Sequence, residues 1–165
     1  MKRLHTHVSV AGLEVLRVSA ADSVIVRRGT AADWAAITLL LERAGLPTTD
    51  LAESQPEFTV LAEADTLIGI GGLEFFGDAA LLRSVVIASN RRRQGLGADL
   101  LAHLEHRARE QGAADLVLLT QTADRFFAAH GYTPIPRATV PEPIKSTAEF
   151  RSLCPESALC MSKHL

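Results

Sequence analysis

A basic turn that contains two glycines is the stretch of this chain best suited to chemistry. It runs Arg91-Arg92-Arg93-Gln94-Gly95-Leu96-Gly97, after a β-branched segment and before a long amphipathic pattern. A helix that starts there would offer unpaired amides and the positive end of its dipole, and glycine would let an anion approach the backbone. The turn lacks the Lys-Ser/Thr of a nucleotide P-loop and does not match the dinucleotide fingerprint. It therefore predicts a phosphate site of another kind.

Arg83 and Ser84 are polar residues inside a strand pattern made otherwise of leucine, valine and isoleucine. A buried arginine must find an anion, because an unpaired charge in an apolar setting is costly. Strand alternation places Arg83 on the face of Val85 and Ile87, where it could grip a substrate carboxylate. The alternative is a salt bridge within the chain. Its candidate partners are Asp50, Glu53 and Glu74.

Glu74 is the best candidate for a general base. It ends a glycine-rich strand pattern beside Leu73, Phe75 and Phe76, a hydrophobic setting that makes a carboxylate a stronger base. The alternative is a carboxylate at the surface end of a strand, which would do nothing.

Composition and charge narrow the classes of function. The 165 residues, 47% hydrophobic and 22% charged, suit one globular domain. A net charge of −2 predicts no surface for nucleic acid or anionic lipid. No apolar run reaches the ~18 residues that a membrane helix needs. Cys154 and Cys160 provide too few ligands for zinc, so we expect reduced thiols, no metal and a cytoplasmic location.

Periodicity predicts the elements that would position these residues, in the order β-α-β-β-β-α-β-α-β. The predicted strands are 23–27, 58–63, 67–75, 80–87, 116–120 and 158–163, and the predicted helices are 30–45, 96–112 and 123–130. A polar loop is predicted over 48–56 and a proline-rich coil over 134–143. This order is typical of a mixed α/β sheet with helices on both faces. We expect one domain over 23–165, preceded by a loosely ordered extension over 1–22.

Local signals refine two of these elements. Thr30 and Asp33 form a capping-box pattern at the start of the first helix, and Gly45 would end it. The third strand contains glycines where a side chain is expected, which indicates a bulge or the close approach of another group. They are Gly69, Gly71 and Gly72.

The glycine turn and the strand before it resemble a known motif. The stretch Val85-Val86-Ile87-Ala88-Ser89-Asn90-Arg91-Arg92-Arg93-Gln94-Gly95-Leu96-Gly97 is similar to the central motif of the GCN5-related N-acetyltransferase (GNAT) superfamily, and the likeness extends over 24–132. The resemblance implies the GNAT fold, in which strands 81–87 and 116–120 splay apart around the thioester of acetyl-CoA. The implied acetyl-CoA-binding residues are Val85, Val86, Ile87, Arg92, Arg93, Gln94, Gly95, Leu96, Gly97, Ala98, Thr120 and Phe127. Strand 85–87 would hydrogen-bond the pantetheine arm, and amides of 94–98 would hold the pyrophosphate.

The general acid departs from the family pattern. Members often use a tyrosine four residues before the glycine of a Gly-Phe/Tyr pair, and that position is Phe127 here. Either the thiolate leaves without a protein acid, or Tyr132, Thr120 or water replaces the tyrosine. The alternative for Tyr132 is a residue that only packs its ring.

The C-terminal stretch 147–163 resembles a narrower branch. Together with Leu118-Leu119-Thr120 and Gly72-Leu73-Glu74, it is similar to the arsenic-resistance N-acetyltransferases. Related enzymes acetylate the α-amine of amino-acid-like toxins, including phosphinothricin, methionine sulfoximine and an arsenic-containing glutamate analogue. Two soft thiolates near a site could also bind a trivalent arsenical.

Three functions follow from these resemblances. The first is acetyl transfer from acetyl-CoA to the α-amine of a small amino-acid-like molecule, by direct attack in a ternary complex. Arg83 and Ser84 would then bind the substrate, and Glu74 and Tyr132 are the catalytic candidates. The second is acetylation of a protein or peptide amine, and the third is a non-catalytic acyl-CoA sensor. An exposed final strand makes a homodimer plausible.

Overall fold

The computed structural model describes residues 9–10, 13–17 and 23–165. The strands in these residues are β1 (Ser9–Val10), β2 (Leu13–Arg17), β3 (Ser23–Arg28), β4 (Glu57–Glu63), β5 (Thr66–Phe76), β6 (Ala79–Ile87), β7 (Asp115–Thr120), β8 (Thr133–Pro134) and β9 (Leu159–His164). The helices are α1 (Trp34–Arg43), α2 (Leu51–Ser54), α3 (Leu96–Glu110), α4 (Asp124–Ala129) and α5 (Glu142–Lys145). Single 3₁₀ turns lie at Ala31–Asp33, Ser89–Arg91 and Arg137–Thr139, and a π-helical turn lies at Glu149–Leu153.

One sheet contains all the described strands, in the hydrogen-bonding order β1-β2-β3-β4-β5-β6-β7-β9-β8. β6 and β7 pair in parallel. The β2–β3, β3–β4, β7–β9 and β8–β9 pairs are antiparallel. The predicted mixed, mainly antiparallel sheet is therefore confirmed. Within the described ranges, no helix has both the length and the apolar character needed to cross a membrane.

The chain divides into two compact units. The first is built from Met1–Thr48, Glu57–Gly72 and Ser84–His103, and the second from Thr49–Pro56, Leu73–Arg83 and Leu104–Leu165. β5, β6 and α3 contribute residues to both. The glycine turn belongs to the first unit, and Arg83 belongs to the second.

Helix α1 of the first unit is entered through the predicted capping box. The amide and hydroxyl of Thr30 donate to Oδ2 of Asp33 at 2.8 and 3.0 Å, and Arg27 donates to both carboxylate oxygens at 2.7 Å. The hydrogen bond from Arg27 is the main reason that the pKa of Asp33 lies far below its ordinary value, although burial opposes it. Gly45, at a φ of 70°, closes the other end of the helix as predicted.

The predicted close approach at a strand glycine is confirmed at Gly69. A β-carbon there would lie 2.8 Å from Cδ1 of Ile87 and 2.9 Å from Cδ1 of Leu61. Real β-carbons do not come so near to other atoms, so these two side chains fill the space that a larger residue would need. Glycine at this position lets the ends of β4 and β6 pack against β5.

In the second unit, β6 and β7 pair through a short stretch only. The register joins Ala79–Leu81 to Asp115–Val117, while β7 continues to Thr120 and pairs with β9 along its whole length. Leu116, Val117 and Leu118 are all buried, in agreement with a strand covered on both faces. β6 likewise continues beyond its three pairs with β7, to Ile87.

Several short elements differ from the prediction. Helix α2 lies in the predicted polar loop, α5 and the 3₁₀ turn at Arg137–Thr139 lie in the predicted coil, and β8 was not expected. Each is a single turn or two residues long, which is too short to display a hydrophobic period. Pro143 does not oppose α5, because proline is tolerated in the first helical turn.

Part of the predicted extension over 1–22 lies within the described residues. Its residues 9–10 and 13–17 form β1 and β2, and β2 pairs with β3 from Leu13↔Arg27 to Arg17↔Ser23. Backbone pairing with an available strand edge stabilises a segment whose side-chain pattern is weak. The rest of the extension lies outside the described residues.

Candidate functional site

The predicted turn between a strand and a helix is present in the first unit. β6 ends at Ile87, a 3₁₀ turn covers Ser89–Arg91, and α3 begins at Leu96. Arg93 and Gly95 have φ values of 61° and 84°. A left-handed arginine is uncommon and strained, whereas glycine adopts this conformation readily. The two positive φ angles turn the chain sharply into the helix.

The start of α3 has the features of an anion site. The amide of Asp99 donates to the carbonyl of Gly95 at 3.2 Å, so the helical bonding begins at that carbonyl. The amides of the first turn, at 96–98, have no preceding helical carbonyl to bond. Gly97 and Ala98 remain partly exposed, which leaves the backbone accessible. An anion bound there would gain from the amides and from the helix dipole.

The three arginines of the turn have different roles in its structure. Arg91 forms an ion pair with Glu63, and its Nε donates to Oε1 of Gln94 at 3.2 Å. Arg92 donates from Nε to the carbonyl of Ile87 at 3.1 Å, and both Arg92 and Arg93 are exposed. Arg91 therefore holds the turn in shape, while the other two supply positive charge at its surface.

Ser84 interrupts β6 immediately before the predicted pantetheine-binding residues. Its φ is 57°, a left-handed value that is strained for a residue other than glycine and typical of a bulge. Val86 is buried, while Val85 and Ile87 are partly exposed. Side chains alternate between the two faces of a regular strand, but a left-handed residue breaks this alternation. Strand geometry therefore does not place Arg83 on the same face as Val85 and Ile87, as was predicted.

Arg83 lies in a buried cluster of carboxylates in the second unit. Nη1 donates to Oδ2 of Asp50 at 2.5 Å and to Oε1 of Glu74 at 2.6 Å, and Nη2 donates to Oδ1 of Asp50 at 2.9 Å. Nε lies 3.1 Å from Oε2 of Glu149. Nη1 also donates to the hydroxyl of Ser54 at 3.4 Å. Of the two interpretations left open by the sequence, the structure shows the salt bridge within the chain.

The cluster places one cation among three acids, and the side chain of Arg83 is only 1% exposed. Burial alone would lower the pKa of Arg83, but the hydrogen bond to Asp50 and the charge of Glu149 outweigh it and raise the pKa. Burial alone would raise the pKa of Asp50, but its hydrogen bonds to Arg83 and the charge of Arg83 outweigh burial and lower the pKa. Arg83 and Asp50 are therefore both charged at neutral pH.

Glu149 is the member of the cluster that sequence reasoning missed. It lies at the start of the π-helical turn, within the C-terminal stretch that resembles the arsenic-resistance branch. That resemblance was the one available signal, because the local pattern gives no reason to bury a glutamate. Burial raises the pKa of Glu149 to about 7, and the nearby charges of Asp50 and Glu74 add to the effect against the opposing charge of Arg83.

Tyr132 packs its ring, as the alternative interpretation expects. It is 2% exposed, meets the ring of Phe127 edge-on at 5.4 Å and lies under Nζ of Lys163 at 5.5 Å. Lys163 also forms two 2.8 Å hydrogen bonds to Glu105. Burial, followed by the charge of Glu105, raises the pKa of Tyr132 far above its ordinary value. A phenol in this setting is a poor proton donor.

Thr120 and Phe127 serve the structure of the second unit. The hydroxyl of Thr120 accepts a hydrogen bond from the amide of Ala123 at 3.0 Å, just before α4. Phe127 is 5% exposed and contacts the ring of Phe126 at 5.2 Å. Neither contact tests the predicted binding of acetyl-CoA by these residues.

The two cysteines are free thiols in the second unit. Burial raises the pKa of Cys154 to about 11, with the charge of Glu149 as the next cause, and burial also raises the pKa of Cys160. Both thiols are thus protonated at neutral pH and unreactive as nucleophiles. Across the described part of the chain, no group of three or more His, Cys, Asp or Glu side chains is placed to hold a metal ion.

Known proteins resemble this chain in sequence pattern and in fold. The model of the family described as Acetyltransferase (GNAT) family matches residues 30–132. No curated protein matches the chain. Among solved structures, N-acetylglutamate synthase from Neisseria gonorrhoeae, complexed with coenzyme A and N-acetyl-glutamate, superposes with a TM-score of 0.74 at 22% identity. The match covers 86% of this chain and 35% of that one, so this chain spans about a third of the synthase.

Two further structures match over most of their own length. Rv2747 from Mycobacterium tuberculosis, in complex with CoA and NLQ, has a TM-score of 0.71 at 25% identity, covering 85% of this chain and 98% of that one. The ribosomal-protein-S18-alanine N-acetyltransferase from Escherichia coli has a TM-score of 0.66 at 19% identity, covering 86% and 93%. These likenesses confirm the predicted fold.

Proposed function

Because this chain belongs to the acetyltransferase (GNAT) family, we propose that it transfers the acetyl group of acetyl-CoA to the amine of a small amino-acid-like molecule. The observation that carries the proposal is the turn between β6 and α3. Left-handed residues there open the first turn of a 15-residue helix to an anion, and two arginines are exposed beside it. A diphosphate ester with a long neutral arm suits this combination, since amides bind the phosphates and a strand edge can bind the arm.

The proposed binding mode assigns the donor to the first unit. Amides of 94–98 hold the pyrophosphate, Arg92 and Arg93 supply charge, and the backbone of 85–87 bonds the pantetheine arm. Ser84 changes the backbone direction just before Val85. The amide near Val85 is then assigned to polarise the thioester carbonyl. Arg91 shapes the turn and does not touch the donor.

The proposed reaction is a direct transfer in a ternary complex. The amine nitrogen attacks the carbonyl carbon, the C–N bond forms, and the C–S bond breaks as the thiolate leaves. The attacking amine must lose a proton, and we assign its uptake to Glu74, directly or through water. Arg83 bonds Oε1 of Glu74 at 2.6 Å and thereby orients it. The proposal assigns protonation of the thiolate to solvent, because Phe127 has no proton to give and the pKa of Tyr132 is raised.

The identity of the acetyl acceptor is the more specific part of the proposal. The C-terminal stretch resembles the arsenic-resistance branch, which supports a toxic glutamate analogue such as phosphinothricin, methionine sulfoximine or an organoarsenical. The likeness to a synthase solved with N-acetyl-glutamate supports the same class of acceptor. Arg83 already bonds Asp50 and Glu74. A substrate carboxylate could therefore reach Arg83 only by displacing a carboxylate of the chain.

The test is a panel of amines with purified protein. Acetyl-CoA consumption, thiol release and product mass would be measured with free amino acids, the toxic analogues and short peptides. We expect turnover of at least one free amino-acid-like amine, with both substrates needed for thiol release. Turnover of peptides alone would establish acetylation of protein amines. Binding of acetyl-CoA with no turnover on any amine would favour a non-catalytic sensor and overturn the proposal.

Tyr132→Phe tests the assignment of the acid. We expect kcat to stay within about threefold of wild type, because a side chain that acts as a general acid contributes about 100-fold or more. Acetyl transfer would be measured at saturating concentrations of both substrates. A loss of about 100-fold with unchanged thermal stability would return Tyr132 to the role of acid.

A further inference from the structure

Glu149 lies beyond the part of the chain that the family model covers, which ends at residue 132. It nevertheless contacts Arg83, the residue that holds the proposed base. Glu149 is buried among charged groups: the residue is 8% exposed, and Arg83, Asp50 and Glu74 all act on it electrostatically. A carboxyl in this position influences the charge of the whole cluster.

The excess of negative charge requires at least one proton in the cluster. A single guanidinium faces Asp50, Glu74 and Glu149, so full ionisation would leave two excess negative charges in a buried volume. Like charges held close together do not all ionise, because mutual repulsion and burial both favour the neutral form of one of them. At least one of the three carboxyls is therefore protonated near neutral pH.

Hydrogen bonding identifies which carboxyl takes the proton. Asp50 receives two hydrogen bonds from Arg83, at 2.5 and 2.9 Å, and Glu74 receives one at 2.6 Å. Oε2 of Glu149 lies 3.1 Å from Nε of Arg83 but accepts no hydrogen bond, and it is buried. Oε1 faces the weakly donating thiol of Cys154, at 3.9 Å. Glu149 is thus the least stabilised as an anion.

The neighbouring cations Lys145 and Arg137 bind other partners and do not neutralise the charge of Glu149. Lys145 of the adjacent helix α5 forms an ion pair with Glu142 at 2.7 Å. Arg137 stacks over the ring of Phe150 at 5.9 Å and donates to the carbonyl of Pro155. Within the described residues, Arg83 is the one cation paired with Glu149.

We propose that Glu149 is a positioning residue that holds the exchangeable proton of this cluster and controls how firmly Arg83 holds Glu74, the proposed base for acetyl transfer. This inference rests on the proposed function for its catalytic part. With its proton, Glu149 leaves Arg83 to Asp50 and Glu74, and the guanidinium holds Glu74 through its hydrogen bond. When Glu149 ionises, it draws on the same guanidinium and adds a negative charge nearby. Both effects weaken the hold of Arg83 on Glu74.

The proton assignment has a readout that does not depend on activity. The raised pKa of about 7, against 4.5 for an ordinary glutamate, means that the folded protein binds the proton more tightly than the unfolded chain. Its stabilising contribution is complete below the unfolded value and is lost as pH rises through the folded one. Between about pH 5 and pH 8 the folding equilibrium constant of wild type should fall about 70-fold relative to that of Glu149→Gln.

The matched control is Glu156→Gln, an exposed glutamate in the same C-terminal stretch. Its folding constant should follow wild type at every pH. Parallel profiles for wild type and Glu149→Gln would overturn the assignment of the proton. Urea unfolding at fixed ionic strength supplies the constants, and glutamine keeps the shape of the protonated side chain.

The catalytic part is tested by measuring kcat/KM for acetyl transfer as a function of pH in wild type and in Glu149→Gln. The ratio of the two values is used because the ionisation of the amine substrate affects both proteins equally and cancels. We expect the ratio to rise about tenfold as pH increases through about 7. A constant ratio, together with the stability difference, would overturn the link to Glu74. If no amine is acetylated although the stability difference is present, the proposed function fails and the catalytic part fails with it, while the proton remains assigned to Glu149.

Discussion

Arg83→Met should lower the free energy of unfolding by about 3–5 kcal/mol at neutral pH, the cost of leaving buried charges without their partner. The substitution keeps a long side chain but removes the cation that, among the described residues, pairs with Asp50, Glu74 and Glu149. Burying unpaired carboxylates is far more costly than losing a surface ion pair. Denaturant unfolding at about pH 7.5 gives the value, and limited proteolysis reports on a variant too unstable to titrate.

The destabilisation caused by Arg83→Met should become smaller as the pH falls. Without the guanidinium, burial and mutual repulsion favour the neutral acids, so they take up protons as the pH falls and the neutral cluster no longer needs the cation. The difference between wild type and Arg83→Met should thus be smaller at about pH 5 than at about pH 8. Asp50→Asn introduced into Arg83→Met should recover part of the loss, because it removes one of the stranded charges.

Arg28→Met provides the matched control. Arg28 also pairs with a glutamate, Glu57, at 3.0 Å, but its side chain is 70% exposed. Exposed pairs contribute about 0–1 kcal/mol, so this variant should remain close to wild type. Equal losses in Arg28→Met and Arg83→Met would show that the buried cluster is no more important than a surface contact.

The order of elements could be predicted because long periodic segments dominate this chain. Leu96, Leu100, Leu101 and Leu104 lie on one face of α3 and are all buried. The short elements could not be predicted, since α2 and α5 span four residues each and show no period. The pairing of β2 with β3 was also missed, because a ladder of backbone hydrogen bonds leaves little trace in side-chain patterns.

The two candidate sites differ in how far sequence reasoning could reach. The anion turn is local: its glycines, its position before α3 and its arginines are contiguous in the chain, so composition and order suffice. The Arg83 cluster is assembled from residues 33, 9 and 66 positions away from Arg83, respectively Asp50, Glu74 and Glu149. The sequence predicted that a buried arginine needs an anion, and Asp50 and Glu74 were among the predicted partners. Glu149 was not among them, because tertiary packing brings it to the cluster.

Gly95→Ala should weaken the binding of coenzyme A by at least about tenfold. Gly95 has a φ of 84°, and a left-handed alanine costs roughly 1–2 kcal/mol, which the turn can relieve only by changing shape. A shifted turn no longer directs the amides of 94–98 at one diphosphate. The added methyl also stands where the proposal places the closest approach of the phosphates. Calorimetric titration with coenzyme A measures the dissociation constant directly.

Gly112→Ala separates the loss of binding from the loss of stability. Gly112 has a φ of 85° and follows the other end of the same helix, and a β-carbon added there would meet nothing within 4 Å. Its replacement therefore introduces the same backbone strain without touching the turn, and the two variants should be destabilised to a similar extent. If both bound coenzyme A as wild type does, the turn at the start of α3 would not hold the pyrophosphate. If only Gly95→Ala lost affinity for coenzyme A, the loss would reflect the binding role of the turn and not a general loss of stability.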